Sequence, residues 1–93
     1  MTQAERAHLA KVAELGCILC RTLGLGETKA ERHHLREGQG VGQKASHFLT
    51  VPLCQEHHRG KIGFHGLGQR AFYQRYKLDE LDLLALTLEA LAG

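Results

Sequence analysis

PLCQEHHRG, Pro52 to Gly60, places a thiol and two adjacent imidazoles, Cys54, His57 and His58, within five residues. Related chemistry lies upstream, in the CILC pair (Cys17, Cys20) and the doublet His33-His34. A structural zinc takes four soft or borderline ligands in a tetrahedron, delivered as two short pairs. C-x2-C at Cys17 and Cys20 lets one tight turn aim two thiolates at a point. C-x2-H at Cys54 and His57 does the same from the first turn of a helix. The chain between the pairs is long enough for a two-stranded hairpin. Two complementary pairs that use every Cys of the chain are far more specific than a lone C-x2-C, and they outweigh buried unliganded thiols. Cys17, Cys20, Cys54 and His57 are therefore expected to hold one structural zinc. His57 and His58 are neighbours and diverge by about a quarter-turn on a helix. Only one of them can complete that site, which leaves the other for a different task.

The bulk composition sets the frame for this reading. Ninety-three residues make one domain, 1–93. So short a chain buries a limited share of its surface, and a metal clamp suits it. With 43% hydrophobic and 24% charged residues the composition is globular. Three Cys cannot all pair within the chain, and seven His accompany them, so metal binding accounts for them better than disulfides do. No apolar run approaches a membrane span, and the charged start MTQAERAHLAKVAEL is not a secretory signal. A reducing, cytosolic setting is expected. The net charge of +2 decides little. Lys and Arg nevertheless outnumber Asp and Glu from Arg21 to Lys77, while the last helix carries acids. A basic middle is compatible with a phosphate-facing surface and equally with ordinary solvated charge.

Periodicity and punctuation predict a helix over about Gln3 to Leu15, with Thr2 as N-cap and Ala4, Leu9, Val12, Ala13 and Leu15 on one face. His8, within it, reads as a partly exposed side chain. Gly16 ends the helix, Cys17 to Cys20 form a knuckle, and Arg21 to Lys29 read as a loop. Ala30 to Leu35 read as a strand, with His33 and His34 on opposite faces. A Gly-rich loop, Glu37 to Ser46, leads to a second strand, His47 to Val51, ended by Pro52. A short helix starts at Gln55 and is soon broken by Gly60, Gly63, Gly66 and Gly68. Gln69 to Lys77 is helical, with Ala71, Phe72 and Tyr76 together. Asp79 caps a last helix, Glu80 to Ala92, whose early acids suit the helix dipole. Leu81, Leu84, Leu88 and Leu91 recur there at helical spacing, widened by Leu83 and Leu86. That stripe is core packing or a partner surface, and it is the candidate contact for a homodimer.

His33, His34, His58 and His65 are left over once the zinc is complete. Within the doublet one ring can bind a metal while the other faces a water. A neutral imidazole with an ordinary pKa of about 6.5 suits a general base at pH 7. A divalent ion beside it would stabilise a phosphate and its departing oxygen. A surface pair in a polar strand is the plain alternative for the doublet alone, and its place between the two zinc pairs favours the site.

The order C-x2-C, His-His, then C-x2-H followed at once by His resembles the HNH, or ββα-metal (His-Me finger), endonucleases. More specifically, GCILC, AERHHLREGQGVGQKASH, PLCQEHHRG and GFHGLGQRAFYQRY resemble the phage recombination-enhancement (Ref-like) nucleases, described as RecA-dependent. The likeness runs from about Leu15 to Leu91. It implies a small α+β fold, with a zinc-stabilised ββα-metal core, an N-terminal helix and two C-terminal helices. It implies a metal-dependent DNA endonuclease of phage or prophage origin, acting in the host cytoplasm on DNA without sequence preference and in relation to the RecA filament. The implied products carry 5′ phosphate and 3′ hydroxyl ends.

By position, the resemblance makes His34 the general base that activates water. His33 and His58 become protein ligands of a catalytic Mg2+ or Mn2+. His65 becomes either a third ligand or a phosphate contact. The middle Asn common in HNH motifs has no clear counterpart, and Ser46 or His47 occupies its neighbourhood. Arg36, Lys44, Arg59, Lys61 and Arg70 flank the site in sequence and are candidates for phosphate contacts, which position a substrate without reading bases. Gly38, Gly40 and Gly42 would allow close approach of backbone to phosphate, or simply form a hairpin loop. The reading from another class is a catalytically inactive zinc-binding module that docks on DNA or a recombination protein, for which the spare histidines have no use.

Overall fold

Thr2 begins the first helix as expected. Its hydroxyl accepts from the Glu5 N–H at 3.1 Å, and the Glu5 carboxylate accepts from the Thr2 N–H at 2.8 Å. This reciprocal box satisfies two of the donors that a helix start leaves orphaned. The computed structural model describes residues 1–38 and 46–93. The helix α1 runs Gln3–Glu14 and buries Leu9 and Val12. Ala4 and Ala13, expected on the same face, are exposed, and Leu15 is half-buried. A methyl group offers little area to bury, so the two large branched side chains set the helix's rotation.

Gly16 then takes a left-handed turn at φ +72°, and a Cβ there would meet the Thr28 carbonyl at 2.8 Å. That close approach lets the Cys17 N–H donate to the Thr28 carbonyl at 3.0 Å. Cys17 becomes the N-cap of α2, Ile18–Leu23, and its sulfur accepts from the Cys20 N–H at 3.4 Å. The expected loop from Arg21 onward is thus corrected, because the helix continues through Leu23 and stops at Gly24 with φ +75°. Its inward side chains, Ile18, Leu19 and Cys20, are buried and hold the extra turn against the core.

Strand β1, Glu31–His34, pairs antiparallel with β2, Thr50–Leu53, so that Glu31 faces Leu53, Arg32 faces Pro52, His33 faces Val51 and His34 faces Thr50. Pro52 was expected to end the second strand; it lies inside it. The Leu35 N–H donates to the Leu49 carbonyl at 2.9 Å, just beyond His34 and Thr50. Counting back in twos makes Arg32 and Pro52 a non-hydrogen-bonded pair, where the missing N–H of proline breaks no rung. The expected loop from Glu37 to Ser46 falls mostly on residues 39–45, outside the described ones, as do Gly40, Gly42 and Lys44 within it.

Directly after β2 come α3, Gln55–Arg59, and α4, Phe64–Leu67. A Cβ on Gly63 would overlap the main chain of Glu56 and His57, so only glycine lets the two short helices close on each other. Helix α5, Gln69–Tyr76, contributes Phe72 to the core, and α6, Glu80–Ala92, is started by a box between Asp79 and Asp82. The core joins Ile18, Leu19, Leu35, Val51, Leu53, Phe64, Phe72 and Leu83.

The face of α6 differs from the apparent leucine stripe. Glu80, Leu83 and Thr87 point inward and are buried, while Leu81 and Leu88 are 52% and 48% exposed. The cause is polar: the Glu80 carboxylate is bonded to His33 and to main-chain N–H groups, and that fixes the helix's rotation. No helix among the described residues is long and apolar enough to cross a membrane. Leu83→Ala should therefore cost about 2–5 kcal/mol in urea unfolding. Leu81→Ala and Leu88→Ala should stay within about 0.5 kcal/mol of the parent, as surface substitutions do.

Candidate metal centre

Four side chains from two separate segments meet in the interior. Cys17 and Cys20 come from the start of α2, Cys54 from the residue capping α3, and His57 from within α3. Their ligand atoms all lie within 4.8 Å of one another. The sulfurs of Cys20 and Cys54 are 3.8 Å apart. His57 Nδ1 lies 3.7 Å from the Cys17 sulfur, 3.4 Å from that of Cys20 and 3.4 Å from that of Cys54. A tetrahedron with zinc–sulfur bonds of about 2.3 Å has S–S edges of about 3.8 Å, and slightly shorter S–N edges. The spacing is that of ligands around one ion, and the cluster fits a structural zinc site.

The titration environment agrees with the geometry. Burial pushes the Cys17 thiol up to about 11. A thiolate in that position therefore calls for a cation beside it. Burial also lowers the His57 pKa, which favours the neutral ring that a metal needs.

Next to this cluster is a second one made of imidazoles alone. His33 is buried on β1, His58 half-buried on α3 and His65 exposed on α4, and their ligand nitrogens converge within 4.8 Å. His58 Nε2 and His65 Nε2 face each other at 3.2 Å. The His33 ring packs on Phe64 at 4.7 Å between centroids, and stands 5.2 Å from His58 and 5.3 Å from His65. The pKa of His65 is lowered, by burial first and then by the neighbouring His58, His33 and Arg36. Nitrogen lone pairs at this spacing are suited to a divalent ion.

Two carboxylates stand behind these rings. Glu31, two residues before His33 on β1, accepts from His58 Nδ1 at 2.9 Å, and it also receives Arg59 Nε and Nη2, the latter at 2.6 Å. The hydrogen bonds from Arg59, then from His58, hold the Glu31 carboxyl down at about 2. Glu80 accepts from His33 Nε2 at 2.6 Å. Burial alone would raise its pKa, but the bonds from His33 and from the Arg36 and Glu37 N–H groups outweigh that and leave it lowered.

His34 takes no place in the imidazole cluster. Alternation along the strand turns it from His33, and its Nε2 shares a hydrogen bond of 3.0 Å with His47 Nδ1. His47 is in turn held by Thr50, whose hydroxyl donates to the His47 carbonyl at 2.9 Å. Of the expected phosphate contacts, Arg36, Lys61 and Arg70 are exposed, Arg59 is bonded to Glu31, and Lys44 lies outside the described residues. His8, expected to be partly exposed, is half-buried, with its ring 5.1 Å from that of Phe48. Sequence reasoning missed Glu31 and Glu80. Glu31 was signalled by its i, i+2 spacing to His33; Glu80, read as a dipole-matched helix acid, carried no local signal.

Residues 1–92 match the profile of a family described as recombination enhancement, RecA-dependent nuclease. No curated protein matches the chain.

Two outcomes follow from the geometry. Metal analysis should find one tightly held zinc per chain, lost in Cys54→Ser. Because zinc binding by such sites is worth about 10–16 kcal/mol, chelation should abolish the dispersed amide spectrum of the folded chain. In an NMR titration the Glu31 carboxyl should have its midpoint near 2, moving upward in Arg59→Ala. The sign is that of a depressed acid: the Glu31 contacts favour folding above the ordinary carboxylate range and are lost as pH falls toward 2.

Proposed function

The chain belongs to the recombination-enhancement, RecA-dependent nuclease family, and from that premise we propose that it is a metal-dependent DNA endonuclease of the HNH, or ββα-metal, type. The observation that carries this reading is the convergence of His33, His58 and His65 on one point, with His34 next to His33 in the chain. β1, β2 and α3 follow one another in the order the ββα-metal core requires. One ion held by His33 and His58, with His65 as third ligand, would supply charge stabilisation for the phosphate and its leaving oxygen.

The remaining work falls to the protein's own groups. His34 takes a proton from the attacking water, whose oxygen forms a bond to phosphorus as the bond to the 3′ oxygen breaks. His47 steadies the His34 ring through Nε2 and stands in for the Asn of the usual motif. Arg36, Lys61 and Arg70 hold backbone phosphates, and Lys44 joins them as a proposed contact. Arg59 is given first to Glu31, so its reach to DNA requires it to leave or share that carboxylate. Three imidazole donors suit Mn2+ better than Mg2+, which prefers oxygen ligands. The substrate is DNA engaged in recombination, acted on in relation to a RecA filament and without base-specific contacts.

His34→Ala tests this in a supercoiled-plasmid nicking assay with Mn2+, with and without RecA. The rate should fall by about 10²–10⁴-fold, the usual worth of a general base. Zinc content and folding should be unchanged. Nicking at the parental rate would remove His34 from the mechanism. A parent that never nicks any DNA form would favour the inactive docking module instead.

A further inference from the structure

Glu80 is the first residue of α6, far in sequence from the histidines, yet only 1% exposed. Its Oε2 accepts from His33 Nε2 at 2.6 Å and from the Arg36 N–H at 2.9 Å. Its Oε1 accepts from the Glu37 N–H at 2.8 Å and from the Arg36 N–H at 3.0 Å. Neither Glu80 nor Glu31 is among the groups whose ligand atoms converge with His58 and His65.

We propose that Glu80 is a positioning residue for the imidazole site: it keeps the His33 proton on Nε2 and so presents the Nδ1 lone pair to the ion. The inference rests on the reading of His33, His58 and His65 as one metal site. A neutral imidazole has one donor and one acceptor nitrogen, and the partner of one decides what the other can do. The carboxylate takes the donor. The His33 ring cannot turn away, because Phe64 packs on it and His58 and His65 stand close by. Glu31 performs the matching service for His58, by engaging Nδ1 and leaving Nε2 toward His65. Carboxylates behind metal-binding imidazoles fix the tautomer and raise the basicity of the ligand. Glu80 also ties down the main chain just after His34, so α6 sets the position of the whole doublet.

The test uses the full chain carrying one equivalent of zinc. Mn2+ is added, and its binding is followed by the loss of the free-ion EPR signal. Glu80→Gln keeps the shape of the side chain, and should weaken Mn2+ binding by about 10–100-fold while zinc stays at one per chain. Long-range 1H–15N correlations of the parent, without Mn2+ and at a pH where the ring is neutral, should place the His33 proton on Nε2. Parental Mn2+ affinity in Glu80→Gln would overturn the proposal. So would a proton found on His33 Nδ1, a result that decides the matter even if the variant does not fold. Those outcomes differ from failure of the site itself, in which the parent binds no Mn2+ or His58→Ala binds it as the parent does; either would remove both readings.

Discussion

Two consecutive histidines on one short helix cannot point the same way. Successive side chains on α3 diverge by about 100°, so His57 enters the pocket of thiols while His58 turns toward His33 and His65. Every larger feature respects that divergence. The hairpin supplies His33 from one side and leads into Cys54 at its end. Gly63 lets α4 close on α3 and brings His65 to the same point. One peptide bond thus joins a bracing centre to a candidate reactive one, and neither can shift without moving the other.

A continuous row of rings connects the same two centres through the core. His57 meets Tyr76 edge-on at 5.8 Å, Tyr76 meets Phe72 at 4.7 Å, Phe72 meets Phe64 at 5.5 Å and Phe64 meets His33 at 4.7 Å. The Tyr76 hydroxyl donates to the Ile62 carbonyl at 2.7 Å, so the polar end of that ring is also satisfied. Phe64 and Phe72 are the two aromatic members of the buried core, and Tyr76 packs against it.

What was legible in the sequence was what short spacing encodes. The two zinc half-sites, the capping residues Thr2 and Asp79, and the glycine stops each depend on residues within one turn of each other. The fold's long-range choices were not legible in the same way. The leucines of α6 outnumber every other residue on that helix, yet a single carboxylate at its start decides which side faces in. Its partners lie more than forty positions earlier, and no periodicity reports them. Pro52 misled for the opposite reason. The rule that proline ends a strand is local, whereas its tolerance here depends on the pairing register with β1. His47 could be located only as a neighbour of the missing Asn; its contact with His34 needed the turn that Thr50 holds.

That same proline has an effect at the rim of the sheet. In a non-hydrogen-bonded pair its nitrogen faces away from β1, toward the side where a third strand would have to add. A ring stands there in place of a donor. Open strand edges recruit stray strands from other molecules, but Thr50 to Leu53 are all buried here. Pro52 thus places a missing donor on a strand that α1, α2 and α6 already pack against, and the two together leave no template for a third strand at that position.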